Sequence, residues 1–258
     1  MQNKRMQMLF LLLFTIAIPQ ANAFLGGATK AISAISKNVK TLPKDEIIKF
    51  SKLSDEIQGT KKIGKELGKL NLPDGVLEDT FIRIAIYQKK LTRETAEEMF
   101  SRLSGVSGFR PTLRKIIGNS AVGTAGHLNE LKIANVASVN GFKVLGIGTK
   151  FSDGLKKAPT DIDVLLKKDG KLFAIEAKSY ASTTKMPMDK FRGDINTLVA
   201  YKNMNVNNVV PVFTITNKPN DIRYLKILHY EAKKRGVQLI FGKPQEQVVK
   251  IKMLGSIL

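Results

Sequence analysis

The chain has 258 residues, with 42 Lys/Arg against 22 Asp/Glu, a formal charge of +20 and no cysteine. The missing thiols exclude disulfides, thiolate metal centres, a cysteine nucleophile and a lipidated cysteine anchor. So large a basic excess points to polyanionic partners, of which nucleic acids and anionic membranes are the commonest.

Lys4 and Arg5 precede an apolar stretch from Met8 to Ile18, followed by Pro19 and Ala21-Asn22-Ala23. A basic start, a short apolar centre and a small-x-small end mark a secretory signal peptide. The 11 residues of the stretch fall short of the roughly 20 that a helix needs to cross a bilayer. Residues 1–23 are therefore expected to be removed after Ala23. The remaining 235 residues then act in the periplasm or outside the cell, with no later apolar segment of spanning length.

Three helical stretches are expected in a small all-helical region, residues 24–110. The first runs from Asp45 to about Leu70, with Ile47, Phe50, Leu53, Ile57, Ile63 and Leu67 at three-to-four spacing. The second spans Val76 to Ile86 and the third Thr92 to Leu103. None carries a catalytic constellation. Residues 104–126, rich in Gly, Ser and Thr and interrupted by Pro111, read as the linker to a second region, residues 111–258. Gly118 and Gly123 have the spacing that opens a phosphate-binding loop, but Thr124 and Ala125 stand where its Lys and Ser/Thr belong, so that motif is rejected.

Beyond the linker a helix is predicted from Thr124 to Val139, closed by a left-handed Gly141. Strands follow at Phe142–Ile147, Asp161–Leu166 and Leu172–Ala177, the last two joined by the Asp169-Gly170 hairpin turn. A helix from Met188 to Tyr201, a strand from Val209 to Thr216, a helix from Asp221 to Arg235 and a strand from Val237 to Phe241 complete an α/β sandwich with a mixed sheet. Charge is unevenly divided between the two regions. Residues 24–110 carry 16 Lys/Arg and 11 Asp/Glu, a balance of +5, whereas residues 111–258 carry 24 and 11, a balance of +13.

Three charges interrupt segments otherwise suited to burial: Asp163 in Asp161-Ile162-Asp163-Val164-Leu165-Leu166, and Glu176 and Lys178 in Phe173-Ala174-Ile175-Glu176-Ala177-Lys178. Buried charge is costly unless it is paired or binds metal. The hairpin places Asp163 and Glu176 near the ends of adjacent strands, away from the turn, and Lys178 on the same face of its strand as Glu176. Two carboxylates beside an ammonium make an oxygen site for a hard divalent cation, Mg²⁺ or Mn²⁺. Its natural chemistry is phosphodiester hydrolysis. No HExxH, GxSxG or cysteine set competes with it. Asp161 is expected on the opposite face from Asp163, in a supporting role.

The run Thr160-Asp161-Ile162-Asp163, followed after twelve residues by Glu176-Ala177-Lys178, resembles the core motif of the PD-(D/E)xK, or restriction-endonuclease-like, nuclease superfamily. The resemblance covers residues 120–241 and implies an αβββαβ core. Pro159 lies too far upstream to be the motif's proline, a loss the superfamily tolerates. Similarity to the Holliday-junction-resolvase-like type implies that Glu130, on the preceding helix, completes the catalytic and metal-binding set of Glu130, Asp163, Glu176 and Lys178. It also implies that Lys185, Lys190 and Arg192, around the next helix, grip the phosphates of a nucleic acid. His127 is expected to line the cleft edge, and His229 to be structural.

These residues imply a secreted Mg²⁺-dependent nuclease acting on DNA or RNA. If it is a toxin, an inhibitor or immunity protein would be a further partner. The alternatives are a nucleic-acid-binding protein of the same fold without catalysis, and a cationic membrane-active protein working through residues 24–103.

Overall fold

A computed structural model describes residues 74–118, 121–152, 159–205 and 208–257. The expected signal peptide and the first expected helix lie outside the described residues. The described chain is α/β, with seven helices and one five-stranded mixed sheet. No helix among the described residues is long and apolar enough to cross a membrane.

The chain divides into two compact units, with the divisions falling inside α2 (Arg93–Leu103) and α3 (Phe109–Gly118). The described part of the first unit contains α1 (Asp74–Tyr87), the start of α2 and the second half of α3. Phe81, Ile82 and Ile84 of α1 are buried, as are Leu113, Ile116 and Ile117 of α3. Thr92 caps α2, its Oγ1 accepting the Thr95 N–H at 3.3 Å. Lys90 Nζ donates to the Ile116 carbonyl at 2.6 Å, placing a cation on the last carbonyls of α3, where the helix dipole favours one.

The segment expected as a linker is mostly helix. Pro111 falls in the first turn of α3, where its missing N–H would have had no helical acceptor. Phe109, Leu113, Ile116 and Ile117 then recur on one buried stripe.

The second unit holds α4 (Ala121–Val139), β1 (Lys143–Phe151), β2 (Thr160–Lys168), β3 (Lys171–Lys178), α5 (Met188–Met204), β4 (Val209–Ile215), α6 (Ile222–Lys234), β5 (Gln238–Phe241) and α7 (Pro244–Ile257). The strands lie side by side in chain order. The pairs β1/β2 and β2/β3 are antiparallel, while β3/β4 and β4/β5 are parallel, their crossovers made by α5 and α6. Each predicted element of this region is present. Three strands, β1, β2 and β3, extend beyond their predicted bounds, and α7 is an element the sequence reading did not foresee.

Local chemistry accounts for the boundaries. Gly141, at φ 79°, ends α4, and the Phe142 N–H reaches back to the Ala137 carbonyl at 3.1 Å. Asp169 and Gly170 both have positive φ, 47° and 76°, as a tight β2–β3 turn requires. Asp221 caps α6 by accepting the Tyr224 N–H at 3.0 Å. β4 is buried throughout, as expected of a strand in the middle of a sheet covered by helices. Its Pro211 is tolerated because β5 joins only from Val212 onward, so no partner on that side asks for the missing N–H.

Ala174 lies in a buried cluster with Phe191, Ile195 and Leu198 of α5 and Leu228 of α6. Phe173, the next residue and so on the other face, meets the Phe142 ring edge-on at 5.5 Å and lies against Gly255 of α7. The sheet is therefore covered by helices on both sides.

Candidate active site

The β2/β3 ladder is regular up to the pair Val164 and Ile175. One step further, the Asp163 carboxylate accepts the Ala177 N–H at 2.8 Å. A side chain thus replaces the backbone carbonyl to which a continuing ladder would bring that donor. The strands open there, and the acidic residues gather at the opening.

Glu176 is buried, at 6 % exposure, because it sits on β3 between β2 and β4, opposite Phe213. Lys178, two residues on, donates from Nζ to Glu176 Oε1. The same Nζ lies 3.2 Å from Asp194 Oδ2 on α5. Asp194 Oδ2 is itself buried without a hydrogen-bonded partner. Glu130, on α4, is buried at 7 % exposure, and its Oε1 is hydrogen-bonded to His127 Nδ1 at 2.9 Å.

The electrostatics record this crowding. Burial is the largest influence on Asp163, and repulsion from Glu176 and then Glu130 adds to it, so its carboxyl is held well above the usual carboxylate range. Burial also drives Glu176 up to about 7, outweighing the opposing pull of Lys178, with repulsion from Asp194 and Asp161 adding smaller upward pushes. For Lys178, burial disfavours the charge, but Glu176, Asp163 and Asp194 together reverse that and hold the ammonium above its ordinary pKa. The lysine is thus a fixed cation, whereas the carboxylates are short of positive charge.

That shortage bears on a metal. Asp163 and Glu176 are oxygen donors on neighbouring strands whose mutual repulsion a hard cation would relieve. Mg²⁺ commonly takes one or two protein carboxylates and keeps several waters. Among the described residues, no three His, Cys, Asp or Glu side chains converge as a metal-holding group. The charge of Glu130 is felt by Asp163, but Glu130 does not close a three-ligand cage. The residues fit a largely hydrated cation on two carboxylates.

The fold brings Asp163, Glu176 and Lys178 together, with Glu130 near enough to act on Asp163. The expectation for Asp161 is corrected. Residues two apart on a strand share a face, and the charge of Asp161 raises Glu176. The three basic residues assigned to phosphates have different settings. Lys185 pairs with Asp221 at 2.6 Å, Arg192 Nη2 with Glu231 Oε1 at 2.9 Å, and Lys190 is exposed. His229 packs edge-on to Phe241, with ring centroids 5.7 Å apart.

Asp194 is a site residue that the sequence reading passed over. Its signal was present: Phe191, Asp194, Ile195 and Leu198 form an i, i+3, i+4, i+7 stripe in which the aspartate is the lone charge. No family model, curated protein or solved structure matches the chain.

Proposed function

We propose that residues 111–258 form a metal-dependent nuclease domain of the PD-(D/E)xK, Holliday-junction-resolvase-like type, hydrolysing phosphodiester bonds of DNA or RNA in a secreted protein. The observation that carries this reading is the meeting of Asp163, Glu176 and Lys178 where the β2/β3 ladder opens. The order α4-β1-β2-β3-α5-β4 supports an αβββαβ core, and the +13 balance of residues 111–258 supports a polyanionic substrate.

In this reading Asp163 and Glu176 hold Mg²⁺ or Mn²⁺, with Glu130 adding negative charge behind them. When bound, the cation supplies Lewis-acid polarisation of the phosphoryl oxygen and a more acidic water. The chain's own residues do the rest. Lys178 keeps its proton, so it offsets charge that builds on the non-bridging oxygens and orients the attacking water by donating to it. The Ala177 N–H fixes the Asp163 carboxylate in place. His127 fixes that of Glu130, so neither has to be ordered when substrate arrives.

The test is incubation of residues 24–258 with plasmid DNA and with total RNA, in Mg²⁺ or in EDTA. Cleavage of at least one substrate in Mg²⁺ alone is expected. Glu176→Ala or Lys178→Ala should lower its rate by about 10²–10³, the scale of losing one preorganised electrostatic group. No cleavage of either substrate overturns the proposal. The charge balance of residues 111–258 fits equally a second reading, in which the fold binds nucleic acid without cutting it. Salt-sensitive binding unaffected by EDTA, with no cleavage, would identify that case.

A further inference from the structure

We infer that Asp194 is a positioning residue that takes the Lys178 ammonium over from Glu176 when a divalent cation enters the site. The inference rests on the proposed metal-dependent reading and assigns a role in it to a residue outside the motif.

Lys178 Nζ donates to Glu176 Oε1, which places the ammonium on an oxygen that the metal would require. A cation and an ammonium cannot both crowd one carboxylate oxygen without strong repulsion in a poorly solvated place. Lysine must therefore have somewhere to go, and the geometry offers one destination. Asp194 Oδ2 already forms an ion pair with the same Nζ at 3.2 Å, buried but without an aligned hydrogen bond. A small displacement of Nζ toward α5 would turn that ion pair into an aligned hydrogen bond and free Glu176.

The position of Asp194 is fixed independently of the lysine. It occupies the stripe of α5 that also carries Phe191, Ile195 and Leu198, all fully buried in the cluster against the sheet. Such packing holds the carboxylate at the site while leaving the flexible four-carbon stem of Lys178 to move. Arg192 of α5 and Arg235 are taken up by Glu231, so these two arginines do not compete for Asp194.

The role is tested by Mn²⁺ binding to residues 24–258 without nucleic acid, read from the electron paramagnetic resonance signal of free Mn²⁺. Asp194→Asn should raise the dissociation constant about three- to tenfold, the range of coupling between neighbouring charged side chains. Asp194→Glu should recover most of the loss. In a Lys178→Met background Asp194→Asn should change affinity less than about twofold, because no ammonium is left to hand over. Thermal unfolding in EDTA establishes that each variant is folded, and Asp194→Ser gives the same contrast should the asparagine variant unfold.

An equal loss in the Lys178→Met background would overturn the inference, since Asp194 would then act on the ion through its own charge. So would unchanged affinity on Asp194→Asn. Failure of the unsubstituted chain to bind Mn²⁺ would sink the metal-dependent reading itself, and the handover with it.

Discussion

At the level of single residues, the site carries a cost that pH should expose. Burial raises Glu176 from its ordinary 4.5 to about 7, so without metal the folded state holds this proton more tightly than the unfolded chain does. The stabilisation is complete below about 4.5 and is lost as pH climbs toward 7. Urea unfolding in EDTA should therefore show stability declining with pH across that window, with a shallower decline for Glu176→Gln. Parallel pH profiles for the two proteins would contradict the assignment. Asp163, Glu176 and Lys178 were legible in the sequence because charge in an apolar strand demands an explanation. Asp194 is harder to see, because helices of this chain are full of charges, and only its place as the lone charge of the Phe191, Ile195 and Leu198 stripe sets it apart from a solvated residue. The face of Asp161 is legible as well, since the two-residue period of a strand puts it on the side of Asp163.

Among the elements, β1 is the edge strand most in need of protection, and a neighbouring loop provides it. The Ile147 N–H donates to the Ser107 carbonyl at 2.9 Å, which blunts a free edge. Gly108 makes the approach possible. Its φ is 84°, and a Cβ there would overlap the Ile147 carbonyl oxygen. Gly108→Ala should cost about 2 kcal/mol or more, combining left-handed strain with a backbone clash, measurable as a lowered denaturation midpoint. An unchanged midpoint would show that the loop moves aside freely. The linker expectation failed over the same stretch because Gly and Pro were read as breakers. They are a tight-approach residue and a first-turn residue. The hairpin was easier, since Asp169-Gly170 states both the turn and the register. α7 escaped notice because its buried set, Gln247, Val248 and Ile251, includes a polar side chain and gives only a faint periodic signal.

For the molecule as a whole, the +20 charge makes ionic strength the main external control on any nucleic-acid complex. A footprint of about five phosphates gives a slope near −4.5 in log affinity against log salt, or about 10²–10³ in affinity between 50 and 200 mM. Fluorescence anisotropy with a labelled duplex in EDTA measures it, and a flat salt response would exclude phosphate contacts as the source of binding. The same chain supplies its own reporter of occupancy. Because the Ala177 N–H donates to Asp163, its proton resonance senses whatever that carboxylate is doing. Protonation or an arriving ion would each displace one amide peak in the middle of the spectrum's β region. The backbone at the opening of the sheet would thus announce the state of the site to a spectrometer, with neither substrate nor label added.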